Sequence, residues 1–433
     1  MSIAIYWFRN DLRLVDNPAL TRACHSFTHL LPVYCHAVER DDMAPWGFMR
    51  VAAHRRHFRV ATVADLSAQL AARGSGLIEL SGRPQEVLPK LARAIGATLV
   101  IGEAIAAPEE EAEVAALHAA GLQLDTVWQS SLLAPADLPF PPERLPDVFT
   151  AFRQAVEHAR VVPALPLPIP AALPTMPDLP SSLPYILQQA APLPLQLDGR
   201  SSFPYHTAEF SGGATAAMVH LDRYFERKLA HTYKATRNGL AGTDYSSKFS
   251  PWLASGALSA RTVYAALKRF EAEHGANEGT YWLWFELLWR DYFRFLHLKW
   301  GQNLYRAQGL ANMPASAHDS AAFTRWCRGA TGEPLVDAGM RELAATGYLS
   351  NRLRQIVASY LIHDLACDWR AGAAWFEAQL IDFDVYSNQG NWLYLAGRGT
   401  DPRGGRRFNP QKQADDYDAD GCYRALWGTS MKG

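Results

Sequence analysis

The sequence predicts an α/β N-terminal domain, built on a parallel sheet with Rossmann-like layers, followed by an all-α C-terminal domain. Three observations support this prediction. Short apolar runs alternate with amphipathic helical stretches before residue 130, 15 of the 27 prolines lie between residues 131 and 197, and helical periodicity dominates after residue 200. We therefore expect domains over residues 1–130 and 201–433, joined by an extended, proline-rich linker over 131–200.

Apolar or β-branched runs indicate the strands of the first domain. They span residues 3–8, 30–34, 77–80, 98–101 and 124–128. Helical stretches such as 51–73 and 84–94 separate them. Strands that alternate with helices form a parallel sheet that is covered on both faces.

Helical periodicity predicts the elements of the second domain. The expected helices span residues 213–231, 259–274, 280–300, 336–346, 351–364 and 369–380. The chain contains neither the glycine-rich fingerprint of a Rossmann dinucleotide site nor a P-loop. A nucleotide bound in either of those ways is therefore disfavoured.

Composition limits the classes of partner. With a formal net charge of −1, the chain lacks the cationic coat of a histone-like protein, so a nucleic-acid site must be a local patch. The five cysteines form no metal-binding pair, so we expect free thiols and no zinc site. The N-terminus lacks signal-peptide features, and the longest nearly uncharged run is rich in proline. Both observations favour a cytoplasmic protein without a membrane helix.

The most aromatic segment is the predicted helix over residues 280–300. Glu286, Trp289, Arg290 and Phe293 share one face of this helix. Taken alone, the stripe favours a core helix in which Glu286 and Arg290 form an ion pair. The alternative is a pocket in which a carboxylate and a guanidinium act among aromatic rings.

Polar segments lie on both sides of this helix in the sequence. The turn over residues 243–250 carries several hydroxyls and Lys248 ahead of a helix, which fits either a phosphate cradle or an ordinary capped turn. Asp382, Asp384 and Asn388 resemble part of a Ca²⁺ loop, but the EF-hand spacing is missing and no metal site is expected.

A basic segment follows these acidic and amide residues. It fits either a solvated loop or a rim that contacts phosphates. Its cations are Arg398, Arg403, Arg406, Arg407 and Lys412.

In these segments the chain resembles the photolyase/cryptochrome family, and within it the cryptochrome-DASH branch, over nearly its whole length. The matching stretches are YWFRNDLRLVDNPAL, TYKATRNGLAGTDYSSKFSPWLASGALS, TYWLWFELLWRDYFRF, TGYLSNRLRQIVASYL and DFDVYSNQGNWLYLAGRGTDPRGGRRFNPQKQ. The resemblance implies that the all-α domain binds FAD in a bent form, which agrees with the absence of a Rossmann fingerprint.

The resemblance also implies a set of FAD-binding residues. It places the following around the phosphates: Tyr233, Ser246, Ser247, Lys248, Phe249, Ser250 and Arg290. It places an Arg354–Asp382 pair and Asp384 beside the isoalloxazine, and Asn388 opposite N5. A carboxamide can hydrogen-bond N5 in either redox state without adding a charge.

The activity that the resemblance implies is light-driven repair of cyclobutane pyrimidine dimers, preferentially in single-stranded DNA. Excited FADH⁻ would pass an electron to a dimer flipped into the pocket, the ring would split, and the electron would return. The residues expected to contact the DNA are Glu286, Trp289, Asn351, Gln355, Tyr394 and Arg406. (6-4) photolyases carry a histidine pair at Asn351 and Gln355, which argues against that lesion here.

Flavin photoreduction in this family runs along three tryptophans. Trp392 and Trp369 match the two nearest the flavin, so we count them with Glu286 and Asn388 among the candidate catalytic residues. The third position falls at about Ser316, where no aromatic residue stands. The possible substitutes are Trp300, Tyr305 and Trp326.

The first domain resembles the antenna-binding domain of the family, which in this branch usually holds a folate, 5,10-methenyltetrahydrofolate. Glu103 follows a predicted strand, where such a ligand would meet the carboxyl ends of the sheet. The alternative for Glu103 is an exposed loop acid.

Two other functions remain open at this point. One is a blue-light receptor with the same fold and flavin that signals through an unknown partner, and the other is a nucleic-acid binder that retains FAD structurally. The short segment after Lys412 favours repair over sensing, because many cryptochromes carry a long C-terminal tail. We expect a monomer.

Overall fold

The computed structural model describes residues 2–36, 43–180, 183, 195–402 and 404–428. Its N-terminal part contains five strands, β1 (Ile3–Phe8), β2 (His29–His36), β3 (Ile78–Ser81), β4 (Leu99–Glu103) and β5 (Leu124–Val127). All pairs between neighbouring strands are parallel, and the strand order is β3-β2-β1-β4-β5. The predicted strands and the parallel sheet are confirmed.

Helices cover both faces of this sheet. They are α1 (Pro18–Ser26), α2 (Ala53–Ala71), α3 (Pro84–Ile95) and α4 (Pro108–Ala119). Tyr6 and Phe8 of β1 pack with residues of α1 and α2, while Ile5 and Trp7 pack with residues of α3 and α4. Alternate side chains of a strand point to opposite faces, so a parallel sheet buried on both sides has near-continuous apolar strands.

The order of the strands reverses between β1 and β4. At such a switch point, the crevice at the carboxyl ends of the strands is where open α/β sheets bind ligands. Glu103 is the last residue of β4 and therefore lies at this crevice.

The segment predicted as an extended linker contains a helix, α5 (Phe149–His158). Phe149, Phe152 and Val156 of α5 are buried against the long helix α10 (Glu278–Trp300), so this part of the linker prediction is wrong. Farther along, the chain is extended and lies against the first domain, where Leu30 N donates to Thr175 O at 3.1 Å. Helix α5 was missed because its helical pattern covers only three turns and proline-rich sequence surrounds it.

The remaining helices belong to the C-terminal part. They are α6 (Ala214–Glu226), α7 (Leu229–Thr236), α8 (Ser250–Ser255), α9 (Ala260–His274), α11 (Ser320–Cys327), α12 (Pro334–Thr346), α13 (Asn351–His363), α14 (Trp369–Gln379), α15 (Val385–Ala396), α16 (Pro410–Tyr417) and α17 (Cys422–Gly428). The all-α prediction is confirmed.

One predicted helix is two. Residues 213–231 were expected to form a single helix, but Lys228 adopts a left-handed conformation (φ 55°) between α6 and α7. A left-handed residue ends an α-helix, and glycine is the usual residue there. Lysine gave no sequence signal for the break.

Two helices set the geometry of the central region. A capping box between Asn277 and Thr280 starts α10, and Asp384 caps α15 by accepting a hydrogen bond from Ser387 N at 2.8 Å. The two helices approach closely at Gly390, where a Cβ atom would lie 2.1 Å from the ring of Phe293.

Candidate functional site

A cavity of about 1750 Å³ opens among the C-terminal helices. It is bounded by α7, the turn before α8, α10, α13 and the start of α15. It brings together most of the residues expected from the sequence: Tyr233, Ser246, Ser247, Lys248, Phe249, Ser250, Glu286, Trp289, Arg290, Asn351, Arg354, Gln355, Asp382, Asp384 and Tyr394. This volume includes the open mouth of the cavity.

A second cavity of about 530 Å³ adjoins the first. The two share Arg354, Gln355 and Asp382, among others, and the second adds Asn388 and Trp392. The expected isoalloxazine partners therefore lie around one continuous space.

The polar turn before α8 forms one end of the main cavity. Lys248 is 1% exposed, adopts a left-handed φ of 58°, and its Nζ has no hydrogen-bond partner among the described residues. The ring centroids of Tyr245 and Tyr348 lie 3.2 and 5.1 Å from this nitrogen. Burial lowers the pKa of Lys248 well below its usual value. A buried amine that has no hydrogen-bond partner and is surrounded by serine hydroxyls is suited to binding an anionic ligand.

One arginine of α10, Arg290, lines the main cavity, and a second, Arg294, supports a residue that lines it. Arg290 donates to Ser130 O at 2.5 Å and to Leu253 O at 3.0 Å, which fixes its guanidinium beside the cavity, and burial lowers its pKa to about 10. Arg294 pairs with Asp384 at 2.5 Å. Burial alone would raise the pKa of Asp384, but Arg294 and Arg290 outweigh it and hold that pKa well below its usual range.

The predicted pair beside the isoalloxazine is present as an ion pair. Arg354 Nη2 donates to both carboxylate oxygens of Asp382 at 2.9 and 2.8 Å, and its Nε donates to Leu349 O at 2.9 Å. Asn388 donates from Nδ2 to Ala373 O at 3.1 Å, which fixes its carboxamide on α15. Of the three residues compared above with a Ca²⁺ loop, Asp382 lies in the turn between α14 and α15, Asp384 caps α15 and Asn388 lies within that helix.

Aromatic and polar side chains surround the mouth of the cavity. Trp289 and Tyr394 meet with ring centroids 6.1 Å apart at 66°, and Phe149 stacks on Trp289 at 3.8 Å. Asn351 and Gln355 lie one turn apart at the start of α13. Aromatic platforms flanked by carboxamides suit the stacking and edge recognition of bases.

Glu286 is paired across this mouth with Arg237, the residue that follows α7. Burial raises the pKa of the Glu286 carboxyl above its usual value, and Arg237 opposes that shift. The predicted i,i+4 ion pair between Glu286 and Arg290 is wrong, because Arg290 turns towards backbone carbonyls.

The basic segment is divided by the fold. Arg406 lies with its guanidinium 5.3 Å from the ring centroid of Tyr394, Arg407 pairs with Asp364 at 2.6 Å, and Lys412 is exposed on α16. Arg398 is 6% exposed and donates to Pro314 O at 2.8 Å, so it belongs to neither a solvated loop nor a rim. Arg403 lies outside the described residues.

Both expected tryptophans are buried. Trp392 is 2% exposed and Trp369 is 1% exposed, with its Nε1 donating to Ala307 O at 3.1 Å. Arg398 donates to the Ser316 hydroxyl at 3.1 Å, at the position where a surface aromatic was expected.

Glu103 is not an exposed loop acid, since it is 1% exposed. It accepts a hydrogen bond from Asn10 N at 3.2 Å and borders a small cavity of about 20 Å³ that Arg290 and Asp384 also line. Burial, with a contribution from Asp11, raises the pKa of Glu103 to about 7 against the effect of nearby arginines.

Sequence reasoning missed several residues of the cavity. Arg237, Tyr348 and Asn391 line it, and Arg294 supports Asp384. Spacing offered a signal for two of them, because Arg237 follows Tyr233 and Arg294 follows Arg290 by one helical turn.

Two other sequence predictions bear on the chemistry. All five cysteines are free, and three of them are buried. Over the described ranges, no helix combines the length and apolar character that crossing a membrane requires.

Two family models match the chain. Residues 4–173 match "DNA photolyase", and residues 282–432 match "FAD binding domain of DNA photolyase". A curated relative named cryptochrome DASH, from Gloeobacter violaceus, is 43% identical over 99% of this chain and 86% of its own length. A relative named cryptochrome DASH, chloroplastic/mitochondrial, from Solanum lycopersicum, is 42% identical over 98% of this chain and 76% of its own length.

The chain belongs to the photolyase/cryptochrome family. The crystal structure of a Synechocystis sp. cryptochrome superposes with a TM-score of 0.92 at 40% identity, over 99% of this chain and 88% of the other. A bacterial class III photolyase from Agrobacterium tumefaciens gives a TM-score of 0.79 at 29% identity, over 99% of this chain and 86% of the other. The predicted membership is confirmed.

The residues present fit the FAD of this family. The unpartnered Lys248 amine and the neighbouring serines are suited to its phosphates, and the same cavity extends to Arg354 and Asp382. The helical domain is therefore the FAD-binding domain of a photolyase/cryptochrome family member.

Proposed function

We propose that this protein repairs cyclobutane pyrimidine dimers in DNA by a light-driven electron transfer, with a preference for single strands. One observation carries the proposal. A single cavity joins a phosphate cradle, the Arg354–Asp382 pair and a mouth lined by Glu286, Trp289 and Tyr394. A cofactor and a flipped lesion would thus lie side by side.

The turn before α8 and α10 would hold the cofactor. Ser246, Ser247 and Ser250 offer hydroxyls to the phosphates, and Lys248 and Arg290 offer charge. Arg354, Asp382 and Asn388 would face the isoalloxazine. Reduced FAD, when bound, supplies an electron donor that light excites. The protein contributes binding, orientation and fixed dipoles.

The mouth would hold the lesion. Trp289 and Tyr394 would stack on the flipped bases, and Asn351 and Gln355 would bond polar atoms of their edges. Glu286 would exchange Arg237 for an N–H on the polar edge of the dimer. Removing a base from the stack costs least where the strand is single or the base is damaged. That cost supports the preference for single strands.

We also propose a folate antenna, 5,10-methenyltetrahydrofolate, near the crevice that Glu103 borders. With a pKa of about 7, this buried carboxyl can either donate or accept a hydrogen bond at neutral pH. Arg290 and Asp384 border the same small cavity as Glu103, so an antenna over this crevice would lie close to the flavin site.

A photoreceptor is the second candidate, because the names of the relatives are those of cryptochromes. It would use the same cavity and signal through a protein partner that the chain does not identify. One relative is named chloroplastic/mitochondrial, so the cytoplasmic location stays a prediction, as does the monomeric state.

The test is repair of a thymine dimer by chemically reduced protein. Single-stranded and duplex oligonucleotides that carry one dimer are incubated in blue light and in the dark, and restored thymines are counted. We expect restoration in light only, and more in the single strand. If neither substrate is restored while FAD is bound and reduced, the proposal fails and the photoreceptor takes its place.

A further inference from the structure

We propose that Trp326 carries the oxidising equivalent from Trp392 towards the surface during flavin photoreduction, and that Trp375 is the last residue oxidised. The inference rests on the photochemistry proposed above. It concerns how the flavin is reduced and not how the lesion is repaired.

The expected route through Trp369 has no aromatic residue at its surface position. Trp392 packs on α14 at Gly372, one turn after Trp369, where a Cβ would lie 2.2 Å from the indole. The outer position of that route is Ser316, which is held by the buried guanidinium of Arg398. A fixed positive charge raises the free energy of a nearby radical cation.

A second route starts from the same indole. The ring centroids of Trp392 and Trp326 are 6.5 Å apart at 75°, and Phe376 contacts both rings at 5.1 and 6.2 Å. Trp326 is fully buried, and its Nε1 donates to Val357 O at 2.9 Å. An oxidised Trp326 has no water to take its proton, so the charge would move on.

From Trp326 the aromatic contacts continue outward. Phe323 stacks on Trp326 at 6.0 Å, Phe48 lies 6.2 Å from Phe323, and Trp375 meets Phe48 edge-on at 5.0 Å. Phenyl rings are harder to oxidise than indole, so the two phenylalanines would serve as a bridge. Trp375 is half-buried and is the first indole on this path that reaches solvent.

Another arm of the cluster ends at Trp46. It runs through His318, which lies 5.4 Å from Phe323 and 4.8 Å from Trp46. The Arg370 guanidinium lies 6.0 Å from the Trp46 ring centroid and opposes a positive charge there, although its ion pair with Asp368 at 2.7 Å reduces this effect. This difference makes Trp375 the preferred end and Trp46 its matched control.

The electrons balance as follows. Trp392 gives one electron to the photoexcited oxidised isoalloxazine, Trp326 gives one to the Trp392 radical cation, and Trp375 gives one to the Trp326 radical cation. Trp375 then loses its indole proton to water, and a soluble thiol restores it by giving one electron and one proton. The net result is one electron moved from the thiol to the flavin, one proton in water and one thiyl radical.

The test compares photoreduction in single variants with equal FAD content. In blue light with a soluble thiol, we expect Trp326→Phe and Trp375→Phe to reduce the flavin about tenfold more slowly than the wild type. Trp46→Phe should match the wild type, and Trp369→Phe should be slowed less than Trp326→Phe. Without thiol, peptide mass spectrometry should find oxygen adducts on Trp375 of the wild type and fewer in Trp326→Phe.

Two results would overturn the route. One is a larger loss of rate in Trp369→Phe than in Trp326→Phe, and the other is a loss in Trp46→Phe with none in Trp375→Phe. If Trp326→Phe does not fold or bind FAD, the photoreduction rate of Trp375→Phe decides whether the route is correct. Trp375 is half-buried, so its replacement disturbs the core least. Repair by chemically reduced wild type separates the two proposals, since it needs no photoreduction: failure there sinks the proposed function alone.

Discussion

In the proposed function, recognition of the lesion depends most on Glu286. Its carboxylate is two-thirds covered and paired with Arg237, so the cation that balances it is already in place at the mouth of the cavity. In the proposed function, a pyrimidine dimer that enters the cavity would give Glu286 a new hydrogen-bonded partner. Because the carboxylate accepts but does not donate, it is suited to an N–H on the base edge, and its raised pKa also lets a protonated fraction donate to a carbonyl.

We predict that Glu286→Gln lowers repair and leaves FAD bound. Losing a hydrogen bond to a charged group costs about 1.5–3 kcal/mol, or roughly tenfold to a hundredfold in repair efficiency. Repair per photon and flavin absorbance are measured on the same sample. Glu278→Gln, on the exposed first turn of the same helix, is the control and should repair normally. Loss of flavin from Glu286→Gln would show that Glu286 belongs to the cofactor site.

A second carboxyl predicts a pH effect on stability. Glu342 is fully buried, accepts hydrogen bonds from Ser202 at 3.1 Å and Tyr423 at 2.5 Å, and burial raises its pKa from 4.5 to about 7. The folded protein keeps this proton to a higher pH than the unfolded chain does. The free energy of unfolding therefore falls as the pH rises from about 4.5 to about 7, by about 3 kcal/mol at most.

We expect Glu342→Gln to remove that loss. Its Tm should exceed the wild-type Tm at about pH 8, where the wild-type residue is charged, and the difference should shrink at about pH 5, where it is protonated. Thermal unfolding at both pH values measures this. An equal difference at both would contradict the buried-charge explanation.

Among the elements, the contact between α10 and α15 positions most of the site. Helix α10 presents Glu286, Trp289, Arg290 and Arg294, and α15 presents Asn388, Trp392 and Tyr394. The two helices approach closely only because Gly390 has no side chain opposite Phe293. The position of Asn388, two residues earlier, depends on that contact.

Gly390→Ala should therefore destabilise the fold and reduce FAD content. Alanine favours a helix by about 1 kcal/mol over glycine, but overpacking costs about 1–3 kcal/mol and the added Cβ would meet a buried ring at 2.1 Å. Denaturant unfolding and bound flavin are the readouts. Gly428→Ala, with open space around its Cβ, should be neutral or stabilising. A neutral Gly390→Ala would mean that α10 and α15 can move apart freely.

The sequence predicted the helices and strands whose apolar residues recur at a regular spacing, and it did not predict the others. The strands and α10 follow directly from apolar runs and spacing. Helix α15 was treated as a polar run because its sequence, VYSNQGNWLYLA, holds two asparagines and a glycine that local propensity assigns to loops. Packing against α10 and the Asp384 cap override that preference.

For the molecule as a whole, the site was predictable chiefly because five long stretches matched a known family in order. Spacing alone favoured a core helix for residues 280–300. Spacing could not predict long-range contacts: the pairing of Glu286 with Arg237 and the burial of Arg398 and Glu103 depend on how distant segments pack.

The near-zero overall charge means that the proposed DNA binding would depend on local cations. With a net charge of −1, attraction to phosphates has to come from local cations such as the exposed Lys412. Lys412→Ala should weaken single-stranded DNA binding equally with and without a lesion, and reduce the slope of log K against log salt by about 0.7. Lys90→Ala, exposed on α3, is the control and should change neither. A loss confined to damaged DNA would place Lys412 in the lesion pocket instead.

The central claim is that FAD and a flipped dimer occupy one cavity, close enough for direct electron transfer. The most direct test is the fluorescence lifetime of the reduced flavin, measured with a single-stranded oligonucleotide that carries one thymine dimer and with its undamaged counterpart, both at saturation. We predict a shorter lifetime with the damaged strand only. An unchanged lifetime with the damaged strand bound would contradict the claim, because an acceptor in the same cavity has to quench the excited donor.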